Sequence, residues 1–296
     1  MPIILTLVSP VADTGFADMV GMIADRLQQQ GGIVGEPRWL SPDRAGDLEI
    51  QGLDQATVRH LAHAQAEGLD YAVQTDQNRR KKLLLADMDS TMIQLESLDS
   101  LAAELGFGQQ VEEITERGMR GELDFRESLR TRVALLEGQP TTAMAKVMEN
   151  IPYTPGAEVT VKTMVAHGCH TALVSGGFTF TTDVVHAKLG FHEHRANRLE
   201  IIDGYLTGKV IEPILGRDSK RLALEELSNR LGIPQELTCA IGDGANDLDM
   251  LETAGMGVGY HGKPIVLERA PFNIRHGDMT TLLYFQGYAD IEFVSL

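Results

Sequence analysis

Residues 83–94 read LLLADMDSTMIQ. Four apolar residues run straight into two aspartates one residue apart, Asp87 and Asp89, followed by Ser90 and Thr91. A short unbroken apolar run fits a strand covered on both faces, as parallel sheets have. Two carboxylates crowded at its end repel each other unless a cation lies between them or one is protonated.

Outward from that stretch the chain alternates. HTALVSG (170–176), LTCAIGD (237–243), GMGVGY (255–260) and FNIR (272–275) read as further strands. Helical segments lie between them, such as AEVTVKTMVAHG, FTTDVVHAKLG, SKRLALEELSNRLG and DLDMLETAG. The pattern predicts an α/β fold with a Rossmann-like parallel sheet covered by helices on both faces. Residues 95–150 are helical in pattern with no strand candidate, as an inserted cap is. ANRLEIIDGYLTGKV, within 196–211, predicts a hairpin turning at Asp203-Gly204. Upstream, residues 1–80 carry the order βαββαβ, predicting an α+β ferredoxin-like module, with Asp54 as the cap of its second helix. In size, order and position the module resembles the small ACT-type regulatory domains of amino-acid enzymes. The polar run QTDQNRRKK (74–82) reads as a solvated connector to the core at 81–296.

The chain has 296 residues, 43% hydrophobic and 23% charged, with a net charge of −16. That charge argues against nucleic acid or an anionic membrane as partner, and it obliges any phosphate site to build its own positive field. MPIILTLVSP lacks the basic flank of a signal peptide, and no apolar run is long enough to span a bilayer. Cys169 and Cys239 sit in apolar stretches and read as buried free thiols, which suits a reducing cytoplasm. No zinc-ligand spacing occurs.

Ligands of open α/β sheets bind beyond the carboxyl ends of the strands. Here those ends carry Asp87 and Asp89, then Ser175 with Gly176 and Gly177, then Asp243 with Asn246 and Asp247. If the strands are neighbours, the aspartates converge. Hard oxygen donors without His or Cys favour Mg²⁺, a metal that takes phosphate oxygens as partners. Each piece alone has an ordinary explanation: DMD as a helix cap, GDGAND as a glycine-rich turn, Lys220 as a surface lysine. Their joint order, each at an expected terminus, does not.

DMDST (87–91), VSGG (174–177), Lys220 at a helix start and GDGAND (242–247) resemble the four motifs of the haloacid dehalogenase-like phosphotransferases. DMDSTMIQLES, GMRGELDFRESLRTRVALL, ALVSGGFTF, the ANRLEI hairpin and AIGDGANDLDML are similar to the phosphoserine phosphatase branch of that family, over about residues 83–290. The resemblance implies a Mg²⁺-dependent hydrolysis of O-phosphoserine through an aspartyl phosphate. It gives Asp87 as nucleophile and Asp89 as general acid and base. The metal is implied at Asp87, Asp89 (by its carbonyl) and Asp243, with Asp247 supporting them from behind. Ser175, Gly176 and Lys220 are implied at the phosphate, and Asn246 at the substrate. Glu96 is implied at the substrate ammonium and Arg132 at its carboxylate, with Met119 and Phe125 as apolar walls. On spacing alone Arg130 serves as well as Arg132. Two other functions remain open to the sequence: turnover of another small phosphomonoester such as homoserine phosphate, and a non-catalytic amino-acid sensor. Paired N-terminal modules would make a homodimer.

Overall fold

The computed structural model describes residues 2–119 and 123–296, without the side chains of 116 and 119. Among the described residues twelve strands form one sheet. In chain order they are β1 (Ile3–Val8), β2 (Ile33–Val34), β3 (Arg38–Ser41), β4 (Ala45–Gln51), β5 (Asp70–Thr75), β6 (Leu83–Ala86), β7 (His170–Phe178), β8 (Glu193–Ile202), β9 (Tyr205–Ile211), β10 (Thr238–Gly242), β11 (Met256–Tyr260) and β12 (Phe272–Ile274). Across the sheet the order is β2-β4-β1-β5-β12-β11-β10-β6-β7-β8-β9, with β3 also on β4. From β12 to the start of β8 every neighbouring pair is parallel.

The apolar run at 83–86 is explained by burial on both faces. Leu84 and Ala86 join a cluster with Val161, Met164 and Val185, while Leu83 and Leu85 join Ala223, Leu224 and Leu227 on the other side. Because β6 lies between β10 and β7, the polar residues that follow these three strands emerge side by side.

Residues 1–80 have the expected strands and helices plus one short strand not expected, β2, and Asp54 caps the helix Gln55–Gln65 by accepting from the Thr57 amide at 2.8 Å. They do not hang free of the core. β5 pairs antiparallel with β12 at Asn273 opposite Tyr71, so the sheet runs on without a break. The expected solvated connector is a correction: Arg79 and Lys81 are buried. Arg79 grips Asp47 through both Nη atoms (2.7 and 2.6 Å) and donates to Thr6 Oγ1 (2.7 Å) and to the carbonyls of Phe285 and Tyr284. Burial of a charge is costly unless it is paired and hydrogen-bonded, and this guanidinium is both. Sequence could not disclose it, because its partners lie far away along the chain.

The cap is helical as expected, with Ser97–Glu104, Gly108–Met119, Phe125–Ala134 and Thr142–Glu149. Leu98, Leu101, Leu129 and Val133 form its apolar centre together with Phe178, Leu199 and Leu206. The hairpin therefore packs into the cap. Its turn has positive φ at both Asp203 (50°) and Gly204 (81°), the pair of left-handed residues that a tight two-residue turn requires. One expectation changes here. The hairpin's first strand begins earlier, at Glu193, and residues 193–195 pair with β7 as part of the parallel sheet. Their charged sequence, EHR, hides a strand at the sheet's flank. Cys169 and Cys239 are both buried and free. Among the described residues no helix is long and apolar enough to cross a membrane.

Candidate active site

The end of β6 delivers Asp87, whose amide donates to Ile241 of β10 at 3.0 Å. This bond carries the two strands side by side to their last residues. Asp87, Asp243 and Asp247 then meet, each offering a carboxylate oxygen within 4.8 Å of the others. All three are buried. Lys220, at the start of the helix Ser219–Leu231, reaches Asp87 Oδ1 at 2.6 Å and Asp247 Oδ1 at 2.5 Å. Asp247 Oδ2 accepts from the Gly244 amide at 2.9 Å, so both of its oxygens are engaged. Thr91 Oγ1 donates to Asp243 Oδ1 at 3.2 Å.

The electrostatics of this group are uneven. Burial pulls the Lys220 ammonium down, but the carboxylates of Asp247 and Asp87 outweigh it and raise its pKa, so it stays charged. Asp87 is pushed up by burial and by Asp247, with Lys220 pulling the other way. Asp243 is raised to about 6, by burial first and then by Asp247. Three carboxylates face the buried Lys220 ammonium, with the half-exposed Lys263 ammonium 3.8 Å from Asp243, so acids outnumber cations in the group. An all-oxygen donor set with that surplus fits a hard divalent cation.

Asp89 stands beside them. Its Oδ2 accepts from Ser97 Oγ at 2.9 Å, and its Oδ1 is enclosed with no partner among the described residues. Burial, then the nearby Glu96 charge, raises its pKa to about 8, which makes it an acid at neutral pH. Gly177 must lack a side chain here: a Cβ would lie 2.9 Å from Ser97 Oγ and 3.0 Å from Asp89 Oδ2.

One pocket collects the remaining residues. Asp87, Asp89, Glu96, Phe125, Arg132, Ser175, Gly176, Asp243 and Asn246 all line it. Ser175 Oγ accepts from the Gly177 amide at 2.9 Å, and Glu96 Oε1 accepts from Ser90 Oγ at 2.8 Å. Phe125 crosses over Gly176, where a Cβ would sit 3.2 Å from its ring. Arg132 faces the pocket with 17% of its side chain exposed, 3.7 Å from Asp99, and its buried Nε has no partner among the described residues. Arg130 points away, onto Glu212 at 2.6 Å. Lys220 lies buried behind Asp87 rather than in the pocket wall. Met119 ends its helix, and its side chain lies outside the described residues.

Sequence reasoning missed two polar residues of the site. Ser97 looks like an ordinary first-turn serine of the cap. Lys263 lines the pocket 3.8 Å from Asp243 Oδ2. Its signal was available, since it follows β11, whose carboxyl end opens on the same edge as β10.

The family model for haloacid dehalogenase-like hydrolases matches residues 84–252, more than half of the chain and the stretch that carries Asp87, Ser175, Lys220 and Asp243. The chain belongs to that family. This haloacid dehalogenase-like hydrolase is 45% identical over 199 residues to a phosphoserine phosphatase of Streptococcus thermophilus, covering 67% of the present chain and 93% of the other. It is 39% identical over 277 residues to a phosphoserine phosphatase of Streptomyces coelicolor, covering 92% of this chain and 68% of that one. Among solved structures, a probable phosphoserine phosphatase from Vibrio cholerae, in unliganded form, superposes with a TM-score of 0.79 at 32% identity, over 98% of this chain and 88% of the other. Lys263 and residues 1–80 lie outside the family-model match.

Proposed function

We propose that this hydrolase converts O-phospho-L-serine and water to L-serine and phosphate through an aspartyl phosphate on Asp87. The observation that carries the reading is one pocket holding a buried carboxylate (Asp87), a second carboxyl group with an enclosed, unpartnered oxygen (Asp89) and a guanidinium with an unpartnered Nε (Arg132). Nucleophile, proton donor and carboxylate anchor are what this substrate needs. The phosphatase names of its relatives support the same substrate.

In the first step an Asp87 oxygen attacks phosphorus, the bond to the seryl oxygen breaks, and Asp89 hands that oxygen its proton. In the second, Asp89 takes a proton from water, the water oxygen attacks phosphorus, and the bond to Asp87 breaks. Lys220 favours the ionised form of Asp87 beside an incoming anion, against burial and Asp247. Ser175 and the Gly176 amide supply donors to the phosphoryl oxygens, and Asn246 adds its amide. Arg132 grips the substrate carboxylate, Glu96 its ammonium, and Phe125 covers the pocket. Mg²⁺, held by Asp87, the Asp89 carbonyl and Asp243, would supply positive charge to the phosphate, with Asp247 fixed behind by Lys220 and Gly244.

Residues 1–80 are proposed as a ferredoxin-like, ACT-like module, supported by the antiparallel order β5-β1-β4-β3. The buried free thiols support a cytoplasmic enzyme. The test is phosphate release from O-phosphoserine, homoserine phosphate and an aryl phosphate, with Mg²⁺ and with EDTA. O-phosphoserine should be the best substrate and EDTA should stop turnover. No release from it, or faster turnover of homoserine phosphate, refutes the reading.

A further inference from the structure

The turn after β11 lies directly against the Asp243 loop: the Lys263 amide donates to the Asp243 carbonyl at 2.9 Å. Two residues earlier, His261 holds a left-handed φ of 43°, a conformation that costs a non-glycine residue energy and persists only where the surroundings enforce it. The enforcing bonds are visible. The His261 amide donates to the Ile274 carbonyl at 2.8 Å, and its Nε2 lies 2.9 Å from the Gly277 carbonyl. Gly277 is itself fixed from the N-terminal sheet. Asp70, the first residue of β5 and 2% exposed, accepts with Oδ1 from the Arg275 amide (2.6 Å) and with Oδ2 from the Gly277 amide (2.7 Å), while the His276 amide bridges both oxygens. A Cβ at residue 277 would lie 3.0 Å from Asp70 Oδ2 and 2.3 Å from Thr281 Oγ1, so the glycine lets the carboxylate close in.

We propose that Asp70 is a positioning residue for the Asp243 carboxylate, acting through Gly277, His261 and the Lys263 main chain, so that the N-terminal sheet is a working part of the active site. A buried carboxylate that accepts three consecutive amides fixes a loop more firmly than neutral bonds do. Each later link is a direct hydrogen bond, except the step from His261 to Lys263, which runs along the main chain through Gly262. The inference rests on the phosphatase reading for its kinetic arm only.

The test uses the full chain with Asp70→Asn, which keeps the shape but sets an NH₂ against an amide, and His261→Asn, which tolerates the left-handed backbone but is too short to reach Gly277. Mg²⁺ binding, measured by titration calorimetry without substrate, should weaken several-fold in both. kcat should fall between about tenfold and 10²-fold, the range for small displacements of catalytic groups. It should fall equally on O-phosphoserine and on an aryl phosphate, with KM for O-phosphoserine within about twofold of wild type, since Glu96 and Arg132 are untouched. A combined variant should be no worse than the poorer single one. Variants with lowered melting temperature but wild-type Mg²⁺ affinity and kcat overturn the proposal. A wild-type protein inert on O-phosphoserine would sink the substrate reading, and the Mg²⁺ titration would still decide the brace.

Discussion

Replacing Arg132 by methionine separates the substrate's carboxylate from its phosphate. In the structure the guanidinium is mostly enclosed, its Nε lacks a partner among the described residues, and Asp99 stands at 3.7 Å, too far for a short bond. Its fork is therefore open for a bidentate grip on a substrate carboxylate. Hydrogen bonds to charged groups contribute about 1.5–3 kcal/mol each, so two are worth roughly 3–6 kcal/mol. Taking about 4 kcal/mol from within that range, kcat/KM for O-phosphoserine should drop about 10³-fold. Removing the cation also leaves the Asp99 carboxyl, already raised by burial, without its partner and close to the substrate's own carboxylate. O-phosphoethanolamine, which keeps the ammonium and phosphate but lacks the carboxylate, provides the control. Steady-state phosphate release on both compounds, wild type against Arg132→Met, measures the difference directly. Arg132→Lys should recover part of the loss, as a point charge without the planar fork. Equal losses on the two substrates would refute the carboxylate assignment.

Asp87→Asn should reduce phosphate release to background while the protein melts cooperatively, and residual turnover near wild type would remove Asp87 as nucleophile. Arg79→Met leaves the buried Asp47 charge with the exposed Arg38, 3.6 Å away, in place of its close partner, and should cost about 3–5 kcal/mol in urea unfolding; Asp47→Leu added to it should restore much of that. A loss below about 1 kcal/mol would mean the connector is merely solvated. Without metal, Asp89 (about 8) and Asp243 (about 6) are raised by burial and by neighbouring carboxylates, far above an unfolded aspartate near 3.9. The folded chain then binds more protons than the unfolded one, so this stability is full below about pH 4 and is lost as pH rises through 6 and 8. Melting in EDTA should track that fall and Mg²⁺ should flatten it; an EDTA curve that is level or rising would contradict it.

The catalytic half was legible because its chemistry sits where strands end. Apolar runs stop at Asp87, Ser175 and Asp243, and the parallel-sheet rule makes those stops neighbours before any coordinate is known. The cap was legible as helix, but its inward face was not. Arg130 and Arg132 are two residues apart on one helix, and only the packing of Phe125–Ala134 against the hairpin decides between them. Charge misled elsewhere. QTDQNRRKK looks solvated, yet Arg79 finds Asp47 and two main-chain carbonyls that no local pattern announces. Glu193 and Arg195 disguised strand residues for the same reason. Lys263 was legible by the same strand-end rule, since YHGKP lies at the end of β11, but the rule was not carried to that strand.

The join between β5 and β12 bears on how separable the two halves are. Tyr284 and Phe285 are fully packed, and their cluster includes Val8, Leu40, Ala45 and Ala72 from the N-terminal strands. Cutting the chain near residue 81 would bare those aromatic rings and leave β12 with an open edge, the template for sticky self-association. Grafting the catalytic half elsewhere would therefore call for a redesigned flank and not simply a new start codon.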